Sequence, residues 1–267
     1  ILTLILGNKL AFLINYYFLK FIKKDYIVAV TYHDTPIENS KNLQNHFKFF
    51  NKYYSNCSKK QLEKFLKTGE WCHKKPGIII SFDDGLLSNY EVAKPLLETF
   101  KFTGWFMIPA KIVELKINEH YHFAKTAKIT EKYTKDNCPI FMTQKEIKAL
   151  DKSNHQIVNH SYSHPRLSKS LSNNQLKKEI LLSKNILEKI IKKKIETFAW
   201  VGGEDYSFSK NAFNTICKND YKLIFSTNCS NIYSKQSNFF LERFHIDSDY
   251  NLLQVCFSIS WIYSLLY

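Results

Sequence analysis

Two short stretches concentrate the groups able to do chemistry: Ser81-Phe82-Asp83-Asp84-Gly85 and His160-Ser161-Tyr162-Ser163-His164. Together they offer a carboxylate pair and a histidine pair. One Asp with two neutral imidazoles can hold a divalent ion while leaving coordination positions open for water and substrate, the layout of a hydrolytic metal site. The second Asp is then free to accept a proton. Either motif alone is ambiguous. Asp-Asp-Gly after a strand also makes an ordinary turn, and a His pair at i, i+4 is common on solvated surface. Their joint occurrence, each at the end of a predicted strand, favours the site.

The strands that must position them are legible. Ile78 to Phe82, after Pro76-Gly77, is a short apolar β-branched run that reads as a buried strand, so Asp83, Asp84 and Gly85 fall at its C-terminal end. Gln156 to Asn159 reads as a second strand, with the His pair following on a helical turn or tight loop that Pro165 ends. Further strands are expected at 26–32, 102–108, 197–200, 222–226 and 239–246, which suits a parallel α/β barrel whose C-terminal rim gathers catalytic groups. Capping boxes mark helix starts at Ser58/Gln61, Ser88/Glu91, Thr143/Glu146 and Ser172/Gln175. The last of these opens a helix to Lys192 whose Leu176, Ile180, Leu187 and Ile191 form a core stripe. Residues 111–140 break the alternation and read as a rim insertion, with His120 and His122 as loop surface or glycan contacts rather than metal ligands.

A chain of 267 residues with 45% hydrophobic content can bury one large core, so one catalytic domain over 26–250 is expected. The formal net charge of +14 favours an anionic neighbour such as a phospholipid surface or an acidic glycan. Nucleic acid is not expected as a partner, because no Arg-rich segment or nucleic-acid fold signature occurs. The six Cys show no CxxC pair, which argues against a zinc ribbon or disulfide framework and for a reducing compartment. Residues 1–25 are apolar but interrupted by Asn8, Lys9, Asn15 and Lys20, which fits a helix on a membrane surface or against the barrel better than a span. Residues 251–267 read as a second apolar helix. The expected location is cytoplasmic, with membrane association at the inner face.

The order Thr31-Tyr32-His33-Asp34, then Ser-Phe-Asp-Asp-Gly, then Asn159-His160-Ser161-Tyr162-Ser163-His164-Pro165-Arg166-Leu167, then Phe198-Ala199-Trp200, then Leu241-Glu242-Arg243, resembles the polysaccharide deacetylase family, the NodB-homology or carbohydrate esterase family 4 group. The resemblance implies a distorted (β/α)7 barrel and metal-dependent removal of an N-acyl group, acetyl first, from a bacterial surface polysaccharide or its lipid-linked precursor. A deformylase or other amide hydrolase on the same scaffold, or a non-catalytic glycan-binding homologue, are the alternatives. By the same resemblance Asp84, His160 and His164 would hold the metal, zinc ahead of cobalt, nickel or ferrous iron, and Asp83 would be the general base.

Two departures from the family pattern matter. The third motif reads Phe198-Ala199-Trp200-Val201-Gly202-Gly203-Glu204, without the usual Pro and following aromatic, which suggests a wider, more flexible loop. The late Leu-x-His segment that supplies a general acid is also not evident, leaving His33 and His245 as candidates. In an extended strand Leu241, Arg243 and His245 share a face, and an inward face would let Arg243 orient Asp83.

Overall fold

The computed structural model describes residues 25–129, 138–168, 170–234 and 240–260, with helical positions 10, 12–14, 16–17 and 21 ahead of them. The strands are β1 (Ile27–Tyr32), β2 (Ser55–Asn56), β3 (Gly77–Phe82), β4 (Gly104–Ile108), β5 (Gln156–Asn159), β6 (Thr197–Ala199), β7 (Leu223–Phe225), β8 (Phe240–Leu241) and β9 (Phe244–His245). They pair in the order β8-β7-β6-β5-β4-β3-β1-β9, with β2 beside β3, and every one of these pairings is parallel. Strands with both faces covered need apolar residues at nearly every position, which is why β1 and β3 are buried along their whole length.

The pleat divides those residues between two cores. Val28, Val30, Tyr32, Ile78, Ile80, Phe82, Phe106 and Ile108 join Leu43, Phe47, Phe50 and Leu97 of the flanking helices. Ile27, Ala29, Ile79, Trp105, Met107, Val158, Ala199, Phe225 and Leu241 meet one another inside the curled sheet. Leu62 and Phe65 of α2 (Lys59–Thr68), which follows α1 (Ser40–Tyr53), join Trp71 in this inner cluster. Each such fully buried large side chain contributes about 1.5–3 kcal/mol of transfer free energy. The architecture is that of a distorted parallel (β/α) barrel.

Several local expectations are corrected. The run expected as one strand over 239–246 is broken at Glu242–Arg243: its first half pairs with β7 and its second with β1, so six consecutive residues span the two ends of the sheet path. Of the two conformations expected at the His pair, the tight loop forms and the helical turn does not, with left-handed backbone at Ser161 (φ 67°) and His164 (φ 63°). Ser88 does not cap a helix but donates to Asp34 Oδ1 at 2.6 Å, and a widened π turn over Asn89–Ala93 follows it. A second π turn, Lys178–Leu182, interrupts the long helix between α6 (Asn173–Lys177) and α7 (Ser183–Ile191), numbering α3 (Lys94–Phe100), α4 (Ile117–Thr126) and α5 (Gln144–Lys152) before them. Beyond it the buried position is Ile190 rather than Ile191, since a π turn rotates the following stripe. His120, expected at the surface, is buried and accepts from the Ile140 and Phe141 N–H groups at 3.1 and 3.4 Å.

Most of the apolar N-terminal segment and residues 261–267 lie outside the described residues. A helix does cover Leu252–Ser258, opened by an Asn251/Gln254 capping box. Among the described residues no helix is long and apolar enough to cross a membrane. All six cysteines are free thiols.

Candidate functional site

Strand phase delivers the site. Ser81 and Asp83 continue the inward series begun by Ile79, His160 continues that of Val158, and Arg243 and His245 continue that of Leu241. The apolar barrel interior is therefore topped by Thr31, Ser81 and Arg243. Above them Asp83, Asp84, His160, His164, His33 and His245 line a cleft of about 720 Å³ at the C-terminal ends of the strands. Asp83 N–H still donates to Tyr32 O at 2.9 Å, after which the chain turns through left-handed Asp84 (φ 72°) and Gly85 (φ 65°). A side chain at Gly85 would meet Ile112 Cδ1 at 2.5 Å, so both backbone and space demand glycine there.

Asp84, His160 and His164 present one oxygen and two nitrogens all within 4.8 Å of one another. Asp84 Oδ1 lies 3.6 Å from His160 Nε2 and 2.9 Å from His164 Nε2. Each imidazole is oriented from behind: His160 Nδ1–H donates to Ala199 O at 2.9 Å and His164 Nδ1–H to Ala127 O at 3.0 Å. Those carbonyls fix the tautomer, leaving Nε2 as the atom turned towards the carboxylate. Asp84 Oδ1 is buried and has no aligned hydrogen-bond donor, despite the short approach of His164. Burial pushes the Asp84 carboxyl up, yet the neighbouring His164 and His160 hold it well below the usual carboxylate range. A buried carboxylate facing two imidazole Nε2 atoms fits a divalent cation in donor type, and all three residues line the cleft. Two of the three donors, Asp84 and His164, also sit on left-handed backbone, a strain that clusters at ligand sites.

Asp83 faces the same cleft and is tied down differently. Arg243 is fully buried and grips it with both ends of the guanidinium, Nη1 to Oδ1 at 2.6 Å and Nη2 to Oδ2 at 3.0 Å. The same Nη1 donates to Thr31 Oγ1 and Ser81 Oγ, at 3.0 and 3.1 Å, and Nε donates to Ser226 O at 3.2 Å. Burial raises the Asp83 carboxyl, but Arg243 reverses that and leaves it lowered, hence ionised at neutral pH. Each carboxylate oxygen keeps a lone pair for the cleft.

Sequence reading missed the groups that shape the histidine loop. Glu179, in the π turn, is buried; its Oε2 accepts from the Tyr162 and Ser163 N–H groups at 3.0 and 2.8 Å and its Oε1 from Ser163 Oγ at 2.7 Å. Ser183 Oγ lies 2.7 Å from both Asn159 Oδ1 and Ser161 O. No spacing rule links Glu179 to a loop 15 or more residues away; its one signal was an acid on the helix that carries the core stripe.

His33 and His245 stack at a tilt with ring centroids 5.1 Å apart, and His245 Nε2 lies 3.3 Å from Asp247 Oδ1. Thus all seven residues singled out in the sequence converge, six on the cleft and Arg243 beneath it. The rim insertion contributes Thr126 to Ile129 as one wall. The glycine loop is pinned rather than loose: Thr227 Oγ1 donates to Gly202 O at 2.6 Å and Thr227 N–H to Gly203 O at 3.2 Å. Arg166 and Glu204 close the rim beside it, 3.3 Å apart.

Comparison with known proteins agrees with this geometry. The family model described as polysaccharide deacetylase matches residues 71–224, more than half of the chain. A comparison with curated proteins finds no match. Among solved structures the chain is similar to Streptococcus pyogenes deacetylase PplD in complex with acetate, at 19% identity and TM-score 0.67 over 86% of this chain and 97% of that one. It is also similar to a de-N-acetylase from Aggregatibacter actinomycetemcomitans (17%, TM-score 0.66, 86% and 98%) and to IcaB from Ammonifex degensii (17%, TM-score 0.64, 88% and 98%). At such identities the structures speak for the fold, and the family rests on the matched model: the chain belongs to the polysaccharide deacetylase family, hydrolases of the carbohydrate N-deacetylase class.

Proposed function

We propose that this chain removes an N-acetyl group from an amino sugar of a surface polysaccharide or its lipid-linked precursor, with a divalent cation held by Asp84, His160 and His164. The observation that carries this reading is the buried, undonated Asp84 oxygen facing two oriented imidazole nitrogens, with an ionised Asp83 beside it. Zinc suits two imidazoles and a carboxylate best, with cobalt, nickel or ferrous iron as alternatives. Such an ion supplies Lewis acidity to the acyl oxygen and acidity to bound water.

The chain's own residues do the rest. Asp83 accepts the proton of the attacking water, and Arg243 holds its carboxylate in place and ionised. The departing sugar nitrogen needs a proton to leave as an amine. His33 and His245 flank the cleft, and Asp247 Oδ1, 3.3 Å from His245 Nε2, gives that imidazole a fixed partner, which makes it the leading donor. Acetate and a free amino sugar are the products. Acetate and formate release from N-acylated oligosaccharides tests the reading. The wild type should turn over, Asp83→Asn should lose at least about 10²-fold, and His245→Gln should lose more than His33→Asn. Release unchanged in Asp83→Asn would remove the proposed base; release of formate alone would move the activity to a deformylase.

A further inference from the structure

We infer that the helical stripe Leu10, Ile14, Tyr17 and Phe21 seats this molecule on an anionic phospholipid surface. These four side chains are 58, 57, 60 and 86% exposed. Their spacing of four, three and four residues puts them on one face of a helix. The opposite face is already used. Phe12 and Tyr16 are buried against α1, with Phe12 5.0 Å from the Phe49 ring and 5.3 Å from Tyr53, and Tyr16 Oη donates to Tyr53 O at 3.0 Å. The helix is thus docked by one apolar face and presents a second, outward one. Scattered exposed apolar residues need no account, but four large ones aligned on a single helix face do.

Charge identifies what covers them. Residues 1–24 contain Lys9, Lys20, Lys23 and Lys24 and no acidic residue. The neighbouring α1 carries exposed Lys41, Lys48 and Lys52, again with no acid along its length. Lys52 Nζ sits 5.3 Å over the ring of Tyr53, the residue against which Phe12 and Tyr16 pack. An apolar stripe in a lysine-bearing, acid-free stretch, docked on a helix whose exposed charges are all lysines, matches the acyl–headgroup boundary of an anionic bilayer, where each basic residue adds attraction. A second copy of the chain would instead bring lysine against lysine. The contact leaves the cleft accessible: Tyr16 packs on Tyr53 and Tyr54, next to where β2 begins, at the N-terminal end of the strands, whereas the cleft opens at their C-terminal ends.

This surface stands independently of the proposed chemistry, and its test does not use turnover. The chain is floated with phosphatidylcholine vesicles and with vesicles in which roughly a third of the lipid is phosphatidylglycerol, at low and high salt. The wild type should float with the anionic vesicles and be released by salt. Ile14→Glu/Phe21→Glu should weaken binding by at least about tenfold without changing the thermal midpoint, and Lys48→Glu/Lys52→Glu should lose the preference for anionic lipid. The inference is overturned if the wild type stays unbound at low salt, or if the stripe variant floats as the wild type does. It is also overturned if gel filtration shows a dimer that the stripe variant alone breaks while vesicles are ignored.

Discussion

Replacing Arg243 by Met leaves Asp83 as a buried carboxylate without its partner, and the outcome separates desolvation from attraction. Arg243 is fully buried, donates both ends of its fork to Asp83 and gives further bonds to Thr31, Ser81 and Ser226. Removing one member of such a pair costs about 3–5 kcal/mol, because the remaining charge keeps its desolvation penalty and loses the compensating attraction. For a chain of this size that corresponds to a melting-point fall of roughly 6–20 °C. Arg243→Met/Asp83→Asn removes both charges and should recover stability relative to Arg243→Met while remaining inactive. In Arg243→Met itself the Asp83 carboxyl loses the cation that lowers it and rises, so the acid limb of any remaining activity moves to higher pH. Denaturant titration of the four proteins gives the cycle. A single-mutant loss below about 1 kcal/mol, or a double mutant no more stable than Arg243→Met, would mean that Arg243 does not offset the burial of Asp83.

Glu179→Ala strands two backbone N–H groups and a hydroxyl in the histidine loop, so zinc affinity measured by calorimetry should fall about 10- to 100-fold; Glu179→Gln, which keeps an acceptor oxygen, should retain most of it. Gly85→Ala, forced to φ 65° against Ile112, should lose about 1–3 kcal/mol in denaturant titration. His155 is buried, accepts from Gly104 N–H at 3.0 Å, and burial pushes it from 6.5 down to about 4. The fold therefore binds that proton less tightly than the unfolded chain. Stability should drop by up to about 3 kcal/mol as the pH falls through this window, and His155→Asn, though weaker at pH 7, should lose less over the same window.

What the sequence disclosed was whatever local pattern dictates. Apolar runs of β-branched residues located β3 and β5, with Asp83 and His160 at their C-terminal ends, and two-residue alternation put Arg243 and His245 on one face, from which Arg243 reaches Asp83. Three of four expected capping boxes formed because their bonds close within four residues. The hidden part depends on contacts that only folding creates. The carbonyls of Ala199 and Ala127 that orient the imidazoles have no side-chain signature, and Glu179 reaches its loop from a distant helix. The break at Glu242–Arg243 follows from pairing its two halves with different strands, β7 and β1, which one extended run cannot anticipate. Asp84 and His164 on left-handed backbone likewise carry a strain that no propensity predicts.

Zinc titration of the metal-free chain and of Asp84→Ala by isothermal calorimetry reads out directly whether Asp84, His160 and His164 hold a cation. One tightly bound ion per chain is expected, abolished in Asp84→Ala and retained in Asp83→Asn. Equal binding by wild type and Asp84→Ala, or none by either, would contradict it.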